Sequence, residues 1–328
     1  MSTLPLVSVI MPAYNAEKYL ALALDSILNQ TYINLEILIA DDASTDSSKR
    51  IIDLYSDPRI RRYHNETNLG YLRTCNKLFE LVKGDFIAFQ DADDWSELNR
   101  IEKTMEFLLH NQDFGLCGTN FIRLKPKSVK VSDCSAYPNS DEEIKKFIQK
   151  EKSVPFCGAS VILKKDVYKL LGGYRTFFDR IGHEDFDWFL LISEKFKVAN
   201  ISDRLYHYRY VSESFSRNEL VNNYRKYYIS EITWFLREQR LMHGFDALQT
   251  HILMPEFESY LSSLKQKFIN NRIIVYKRLI TSRLYNNDYT SALALYKKGI
   301  KEKDVNLLAF TAFFLKKNVK AFIKTIVK

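Results

Sequence analysis

The sequence has few cysteines, and their spacing does not suggest a structural role. Only four occur in 328 residues, and no two form a Cys-x-x-Cys pair. They are Cys75, Cys117, Cys134 and Cys157. This pattern excludes the usual zinc motifs and provides no disulfide framework. We expect reduced thiols, as in a protein of the cytosol.

Glycine and proline are also scarce, with 10 and 7 residues respectively. No Gly-x-Gly-x-x-Gly motif follows the first predicted strand, and no Gly-x-x-x-x-Gly-Lys motif occurs. These absences argue against a dinucleotide-binding fold and against a P-loop kinase. A nucleotide bound by this chain would instead be held by carboxylates, a metal ion and an aromatic ring.

Long apolar runs are missing as well. No segment approaches the roughly 18 apolar residues that a membrane-spanning helix requires. The segment Met1–Pro5 lacks the basic and apolar regions of a secretory signal. We therefore expect neither a membrane-spanning helix nor a secretory signal. The 22 Phe and 20 Tyr, by contrast, argue against disorder.

Short apolar strands alternate with helical patterns in the first half of the chain. Strands are predicted at 6–11, 35–40, 59–64 and 86–89, with helices at 17–29 and 97–111. Pro12 is expected to end the first strand. Such alternation predicts an α/β fold with a mostly parallel sheet flanked by helices. Right-handed crossovers then place the carboxyl ends of the strands along one edge, where such sheets bind ligands.

Acidic residues follow directly after two of these strands. Asp41 and Asp42 follow the second strand, and Asp91, Asp93 and Asp94 follow the fourth. Three carboxylates within four residues repel one another unless a cation neutralises them. Divalent cations prefer oxygen ligands and share them with substrate phosphates. The pattern predicts a metal site for a phosphate ester, although a solvated acidic turn would show the same residues.

Three segments, in this order and at this spacing, resemble the motifs of family 2 glycosyltransferases with the GT-A fold. They are Val9-Ile10-Met11-Pro12-Ala13-Tyr14-Asn15, Asp41-Asp42-Ala43-Ser44-Thr45-Asp46 and Asp91-Ala92-Asp93-Asp94. The resemblance implies a Rossmann-like GT-A catalytic domain, which we place at residues 1–217. It also implies a nucleotide-sugar donor, usually a UDP-sugar, and transfer with inversion at the anomeric carbon.

The resemblance further implies roles for single residues. Tyr14 would stack on the base, Asp42 would hydrogen-bond it, and Asp91 would approach the ribose. Asp93 would bind Mn²⁺ or Mg²⁺ on the diphosphate. The other residues assigned to nucleotide binding are Pro12, Ala13, Asn15, Arg73 and Ala92. Tyr14 could instead be a surface aromatic, and Arg73 a solvated helix residue.

A second acidic motif, His183-Glu184-Asp185, begins a predicted helix. Two acids at a helix start are ordinarily capping residues favoured by the helix dipole. In the resembled family the matching Glu-Asp lies at the acceptor face. The resemblance therefore implies that Asp185 is the general base that deprotonates the acceptor hydroxyl, and that Glu184 orients the loop or contacts a sugar hydroxyl. Asp187 is a rival for the role of base.

The segment 206–216 resembles the closing segment of the family, with one departure. Val211 stands where many members have a histidine, so a third protein ligand to the metal is not assigned. Arg209, Ser214 or Ser216 could close over the diphosphate. We expect His207 to be a satisfied structural residue.

Basic charge is concentrated at the C-terminal end. From Asn218 onward there are 19 Lys and Arg against 9 Asp and Glu, a net charge of +10, whereas residues 1–217 carry −2. Helices are predicted at 224–240, 256–285, 289–300 and 305–327. We therefore take 218–328 as a helical extension.

The last of these helices is amphipathic. One face carries Leu315, Val319, Phe322 and Ile326, and the other carries Lys317, Lys320, Lys324 and Lys328. This pattern is typical of binding to a membrane surface, where lipid-linked acceptors lie. A helix that covers the core or forms a homodimer interface would show it too. Nucleic acid is not expected, since no binding motif accompanies the charge.

Taken together, these features predict a metal-dependent, inverting hexosyl- or N-acetylhexosaminyltransferase at the inner face of the cytoplasmic membrane. Its acceptor would be a glycan or lipid-linked saccharide of bacterial lipopolysaccharide, O-antigen or capsule. Two alternatives remain. A metal-dependent nucleotidyltransferase also uses paired carboxylates, and a non-catalytic glycan-binding or scaffold protein would need no chemistry.

Overall fold

The computed structural model describes residues 4–124, 131–209, 223–285, 288–301 and 312. The chain divides into two compact units, Met1–Ser212 and Glu213–Lys328. The domain boundary predicted from sequence, between residues 217 and 218, falls in the range 210–222, outside the described residues.

The first unit is built on a nine-stranded sheet. Its strands are β1 (Val7–Ala13), β2 (Leu35–Asp41), β3 (Ile60–His64), β4 (Phe86–Phe89), β5 (Trp95–Ser96), β6 (Phe114–Leu124), β7 (Val131–Cys134), β8 (Ile162–Lys164) and β9 (Lys197–Arg209). They lie in the order β3-β2-β1-β4-β8-β6-β9-β5, with β7 beside β6. Strands β1 to β4 are parallel, and β6 is parallel to β9, whereas β5, β7 and β8 run antiparallel to their neighbours.

Helices flank this sheet. They are α1 (Leu20–Leu28), α2 (Ser48–Leu54), α3 (Tyr71–Leu81), α4 (Arg100–His110), α5 (Asp141–Glu151), α6 (Lys165–Leu171) and α7 (Glu184–Lys195). Short 3₁₀ turns lie at Gly158–Ser160 and Thr176–Phe178. The predicted α/β class and mostly parallel sheet are therefore confirmed.

The central strands are buried along their whole length because both faces of the sheet are covered. Alternate residues of β4 point to opposite faces. Ala88 joins a core cluster that includes Leu24 of α1 and Met105 of α4. Phe89 packs on the other face against Trp188 of α7, with ring centroids 6.2 Å apart.

The first strand differs from the prediction at its end. β1 continues through Pro12, which pairs with Ala40 of β2. Proline is tolerated because β4 pairs with β1 only as far as Ile10. At Pro12 the strand therefore has a neighbour on one side, and a missing N–H group can be accommodated there.

The second unit is helical, as predicted. Its helices are α8 (Tyr224–Tyr227), α9 (Ile229–His243), α10 (Met254–Asn270), α11 (Arg272–Tyr285) and α12 (Tyr289–Ile300). A buried ion pair joins Arg240 Nη1 to Asp246 Oδ2 at 2.6 Å. Within the described ranges, no helix is both long and apolar enough to span a bilayer. The amphipathic segment 315–328 lies outside those ranges.

Candidate functional site

Three carboxylates gather directly after β4. Asp91, Asp93 and Asp94 each offer an oxygen, and these oxygens all lie within 4.8 Å of one another. Asp94 is only 1% exposed, and its Oδ1 accepts a hydrogen bond from the backbone N–H of Arg209 at 2.6 Å. Its Oδ2 is buried and has no hydrogen-bond partner among the described residues. Burying a carboxylate oxygen that accepts no hydrogen bond costs free energy unless a cation binds to it.

The electrostatics of this cluster also call for a cation. Burial, together with the charges of Asp93 and Asp185, raises the pKa of Asp91 to about 7. Burial and the neighbouring charges of Asp93 and Asp91 raise the pKa of Asp94 well above its usual range. An all-oxygen donor set of this kind suits Mg²⁺ or Mn²⁺. The residues present therefore fit the divalent metal that the sequence predicts.

The second acidic motif lies beside the first. Glu184 and Asp185 are the first two residues of α7. Burial and the charges of Asp185 and Asp91 raise the pKa of Glu184 to about 8. Burial also raises the pKa of Asp185, although the N–H of Phe186 donates to its Oδ1 at 2.7 Å and opposes the shift. Carboxylates about 90 positions apart in sequence thus act on one another.

A glycine allows Asp185 to occupy this position. A Cβ atom on Gly158 would lie only 2.9 Å from Asp185 Oδ2. The 3₁₀ turn Gly158–Ser160 therefore passes close to the carboxylate. Any larger residue at 158 would force Asp185 to move.

The rival base, Asp187, is engaged elsewhere. It is buried, and Arg175 Nε donates to its Oδ2 at 2.7 Å while Arg175 Nη2 donates to its Oδ1. Such a bidentate pair with one edge of a guanidinium is typical of a structural carboxylate. This pairing leaves Asp185 as the more suitable base.

Asp42, which the sequence predicts to contact the nucleotide, accepts hydrogen bonds from the loop before α3. Its Oδ1 accepts hydrogen bonds from Leu69 N–H and Asn65 Nδ2, and its Oδ2 accepts one from Gly70 N–H, each at 2.8 Å. Asp42 therefore fixes the loop that leads into α3. The predicted contact of Asp42 with a nucleotide base would be made in addition to these bonds.

The loop after β1 is joined to the loop after β2. Asn15 Oδ1 accepts a hydrogen bond from Thr45 N–H at 2.8 Å, and Asn15 N–H donates to Ser44 Oγ at 2.9 Å. Asn15 has a φ of 49°, and this conformation turns the chain after Tyr14. Tyr14 is 50% exposed, so its ring is available to a ligand. Pro12, Ala13 and Ala92 are buried and could contribute to a base or ribose pocket mainly through their backbone.

The start of helix α3 and the residue before it contact both Asp91 and Asp42. At its first residue, the Tyr71 hydroxyl donates to Asp91 Oδ1 at 3.4 Å, directly after Gly70, which is bound to Asp42. Arg73 lies at the same end, where its Nε donates to Asp179 Oδ2 at 2.5 Å. Sequence reasoning missed Tyr71. Its only signal was its place at the start of the helix after the Asn68-Leu69-Gly70 turn.

Strand β9 borders the cluster on the side of β5. His207 Nε2 lies 2.6 Å from Glu97 Oε1, and the His207 ring stacks on Trp95 with centroids 4.6 Å apart. These contacts engage Nε2 and the ring of His207, whereas its buried Nδ1 has no hydrogen-bond partner among the described residues, so the histidine is not fully satisfied. Arg209 Nε donates to the carbonyl oxygen of Asp93 at 3.0 Å. Val211, Ser214 and Ser216 lie outside the described residues.

Comparison with protein families and relatives gives a consistent result. The family model described as Glycosyl transferase family 2 matches residues 8–172, half of the chain. EpsE of Bacillus subtilis, which carries a glycosyltransferase name, is 34% identical over 221 residues, covering 66% of this chain and 77% of EpsE. The Escherichia coli enzyme WfgD, named as a UDP-Glc:alpha-D-GlcNAc-diphosphoundecaprenol beta-1,3-glucosyltransferase, is 40% identical over 106 residues, covering 32% of this chain and 42% of WfgD.

Solved structures share the fold. TarS 1–349 of S. aureus, in complex with UDP-GlcNAc, superposes with a TM-score of 0.57 at 16% identity, covering 92% of this chain and 95% of that one. The mannosyltransferase PcManGT of Pyrobaculum calidifontis, in complex with GDP-Man and Mn²⁺, gives a TM-score of 0.53 at 16% identity, covering 97% and 88%. At this identity the likeness concerns the fold alone.

Proposed function

Because this chain belongs to glycosyl transferase family 2, we propose that it transfers a sugar from a UDP-sugar to a hydroxyl group of a glycan or lipid-linked acceptor. The transfer is a single displacement that inverts the anomeric carbon. The observation that carries this proposal is the electrostatic coupling of the cluster after β4 with the acidic pair at the start of α7, since Asp185 raises the pKa of Asp91. A metal-binding group and a base are thus available in one site.

Asp93 is the proposed protein ligand of the metal, with Asp91 and Asp94 beside it. Two observations support this assignment. Asp94 Oδ2 is buried without a hydrogen-bond partner among the described residues, and the three carboxylates repel one another. When bound, Mn²⁺ or Mg²⁺ would disperse the negative charge that collects on the leaving diphosphate. PcManGT, the fold neighbour whose structure is in complex with GDP-Man and Mn²⁺, supports the same choice of cation.

Asp185 is the proposed general base. Phe186 N–H holds its Oδ1, which leaves Oδ2, beside Gly158, for the acceptor hydroxyl. A carboxylate with a raised pKa is a better proton acceptor than an ordinary aspartate, provided that it is ionised at the working pH. Glu184, with a pKa raised to about 8, retains a proton at neutral pH and can donate a hydrogen bond to a sugar hydroxyl.

The nucleotide is assigned to the residues around Tyr14 and Asp42. Tyr14 stacks on the base, Asp42 accepts a hydrogen bond from it, and Asp91 contacts the ribose. The exposure of the Tyr14 ring supports its role. The other proposed contacts come from Pro12, Ala13, Asn15, Arg73 and Ala92.

The acceptor is proposed to be lipid-linked, and the protein to act peripherally at the inner face of the cytoplasmic membrane. The name of WfgD, which specifies a diphosphoundecaprenol acceptor, supports this class of acceptor. The net charge of +10 from Asn218 onward supports attraction to an anionic lipid surface. Lipopolysaccharide, O-antigen or capsule synthesis is the corresponding process.

Nucleotide release tests the reaction class. The purified chain is incubated with UDP-Glc or UDP-GlcNAc, with Mn²⁺ or with EDTA, and UDP and pyrophosphate are quantified. We expect slow metal-dependent release of UDP, lost in Asp93→Ala. Pyrophosphate would indicate a nucleotidyltransferase. No nucleotide release, together with no thermal stabilisation by any nucleotide-sugar plus Mn²⁺, would indicate a non-catalytic protein.

A further inference from the structure

We propose that Arg209 is a positioning residue for the metal-binding carboxylates, oriented by the nearby rings of Tyr19 and Trp95. The proposal rests on the proposed metal site at Asp93. It adds a residue that contacts neither substrate nor metal and that acts through the backbone and carboxylate of the acidic motif.

The register of two strands brings Arg209 to this place. β5 pairs antiparallel with β9, so that Trp95 lies opposite His207 and Ser96 opposite Tyr206. Arg209 lies two residues beyond His207 on the same strand. Side chains two residues apart on a strand share a face. The Arg209 side chain therefore lies beside Trp95, diagonally across the strand pair.

Two aromatic rings lie close to the guanidinium. Its Cζ lies 4.0 Å from the ring centroid of Tyr19 and 5.1 Å from that of Trp95. The Trp95 ring in turn stacks on His207, with an interplanar angle of 6°. A planar cation suits this arrangement because guanidinium groups stack on aromatic faces, whereas an ammonium group is a point charge on a flexible stem. Arg209 is only 6% exposed, so its orientation is restricted further.

Two contacts transmit this orientation to the acidic motif. Arg209 Nε donates to the carbonyl oxygen of Asp93 at 3.0 Å, and the backbone N–H of Arg209 donates to Asp94 Oδ1 at 2.6 Å. The first fixes the peptide from which the proposed ligand projects. The second holds Oδ1 of the Asp94 carboxylate. Without these contacts, repulsion among the three carboxylates would favour their separation.

The two contacts can be separated by mutation. Arg209→Lys removes the planar group and its Nε–H bond but keeps the positive charge and the backbone bond to Asp94. Tyr19→Leu removes one of the two rings, whereas Tyr19→Phe keeps the ring and removes only the hydroxyl. Arg204→Lys is the matched control, because Arg204 lies on the same strand and its Nε donates to the Ser135 carbonyl at the surface.

The experiment measures Mn²⁺ binding rather than activity. Free Mn²⁺ is titrated by electron paramagnetic resonance at saturating UDP, UDP binding is measured separately in EDTA, and melting temperatures are recorded without ligand. We expect Arg209→Lys and Tyr19→Leu to weaken Mn²⁺ binding by about 10- to 100-fold, the usual effect of losing a group that orients metal ligands. Metal-free UDP binding should stay unchanged. Arg204→Lys and Tyr19→Phe should bind Mn²⁺ like the wild type.

Each outcome decides the question. Mn²⁺ binding within about twofold of the Arg204→Lys control in a folded Arg209→Lys protein would overturn the positioning role, since loss of an orienting group costs about tenfold or more. If Arg209→Lys does not fold, the Tyr19→Leu and Tyr19→Phe pair decides alone, and equal Mn²⁺ binding by the two would overturn it. Failure of the wild type to bind Mn²⁺ would instead refute the proposed metal site itself.

Discussion

At the scale of single residues, the candidate site is marked by carboxyl groups with raised pKa values. The pKa of Asp91 is raised to about 7 and that of Glu184 to about 8, and the charge of Asp185 contributes to both shifts. Such shifts cost stability in the unliganded protein and persist where binding or catalysis requires them. By contrast Asp187, two residues after the proposed base, is paired with Arg175. This pairing fits a structural role for Asp187.

The assignment of Asp185 leads to a clear prediction. Asp185→Asn keeps the shape of the side chain and removes its ability to accept a proton. We expect the rate of transfer to fall by about 10²- to 10⁴-fold, the usual contribution of a general base, while the affinity for UDP with Mn²⁺ stays near that of the wild type. Calorimetry gives the affinity, and UDP release with an acceptor gives the rate. Asp166→Asn, on the exposed part of α6, is the control. A large loss of UDP affinity would count against the role of Asp185 as base.

The raised pKa of Asp185 predicts the pH dependence of transfer. The base works only when it is ionised, so activity falls as pH falls through its pKa. Because burial raises that pKa, the acidic limb of kcat/KM should lie above the ordinary aspartate value of about 3.9. Because Glu184, with a pKa raised to about 8, is already protonated across this limb, Glu184→Gln should leave the limb in place. A limb that moves in that variant would show that Asp185 alone does not control the profile.

At the scale of elements, the sequence predicted best those strands whose environment is uniform. β1, β2 and β4 are covered on both faces and form continuous apolar runs, so pattern alone identifies them. The two-residue strand β5 has no such pattern, because pairing with β9 defines it. The predicted helix 256–285 is interrupted at Asn271, whose side chain donates to the Lys267 carbonyl and ends α10.

The residues of the candidate site divide in the same way, into those that a local sequence pattern predicts and those that depend on distant contacts. The acidic motifs could be predicted because they follow strand ends and helix starts that are visible in the sequence. Tyr71 and Arg209 could not, because their partners Asp91 and Asp93 lie 20 and 116 positions away. Contacts at such separations depend on strand register, which no local pattern specifies.

The 3₁₀ turn at Gly158 gives a prediction at this scale. Its φ lies outside the left-handed region, so alanine causes no backbone strain, but its Cβ would lie 2.9 Å from Asp185 Oδ2. Since a 1 Å displacement of a catalytic group can cost about 10²-fold, we expect Gly158→Ala to lower kcat by about 10- to 100-fold with little change in UDP affinity. Gly115→Ala is the matched control. Its Cβ would meet Phe196 and Val167 at 2.9 Å, so it should lower the melting temperature instead. Unchanged kcat in Gly158→Ala would mean that Asp185 can shift freely.

At the scale of the whole molecule, charge is divided between two units of different composition. Residues 1–217, with a net charge of −2, contain the candidate site, and the residues from Asn218 onward carry +10. The first unit, with its net negative charge, would not by itself be attracted to an anionic lipid surface. A basic helical unit on the same chain would bring it to a surface where lipid-linked acceptors lie.

This division predicts salt-dependent binding of the full chain to anionic vesicles. Each Lys or Arg close to an anionic surface contributes about 1 kcal/mol. Replacing Lys317, Lys320 and Lys324 by Gln should therefore weaken binding to phosphatidylglycerol vesicles by about 100-fold in cosedimentation at low salt. The control replaces Lys297, Lys298 and Lys301, which removes the same charge from the region of α12. Equal losses in both variants would indicate attraction by net charge alone rather than by the segment 315–328. Wild-type binding that is absent at low salt, together with a dimer in analytical ultracentrifugation that the first variant dissociates, would assign this segment to a subunit interface.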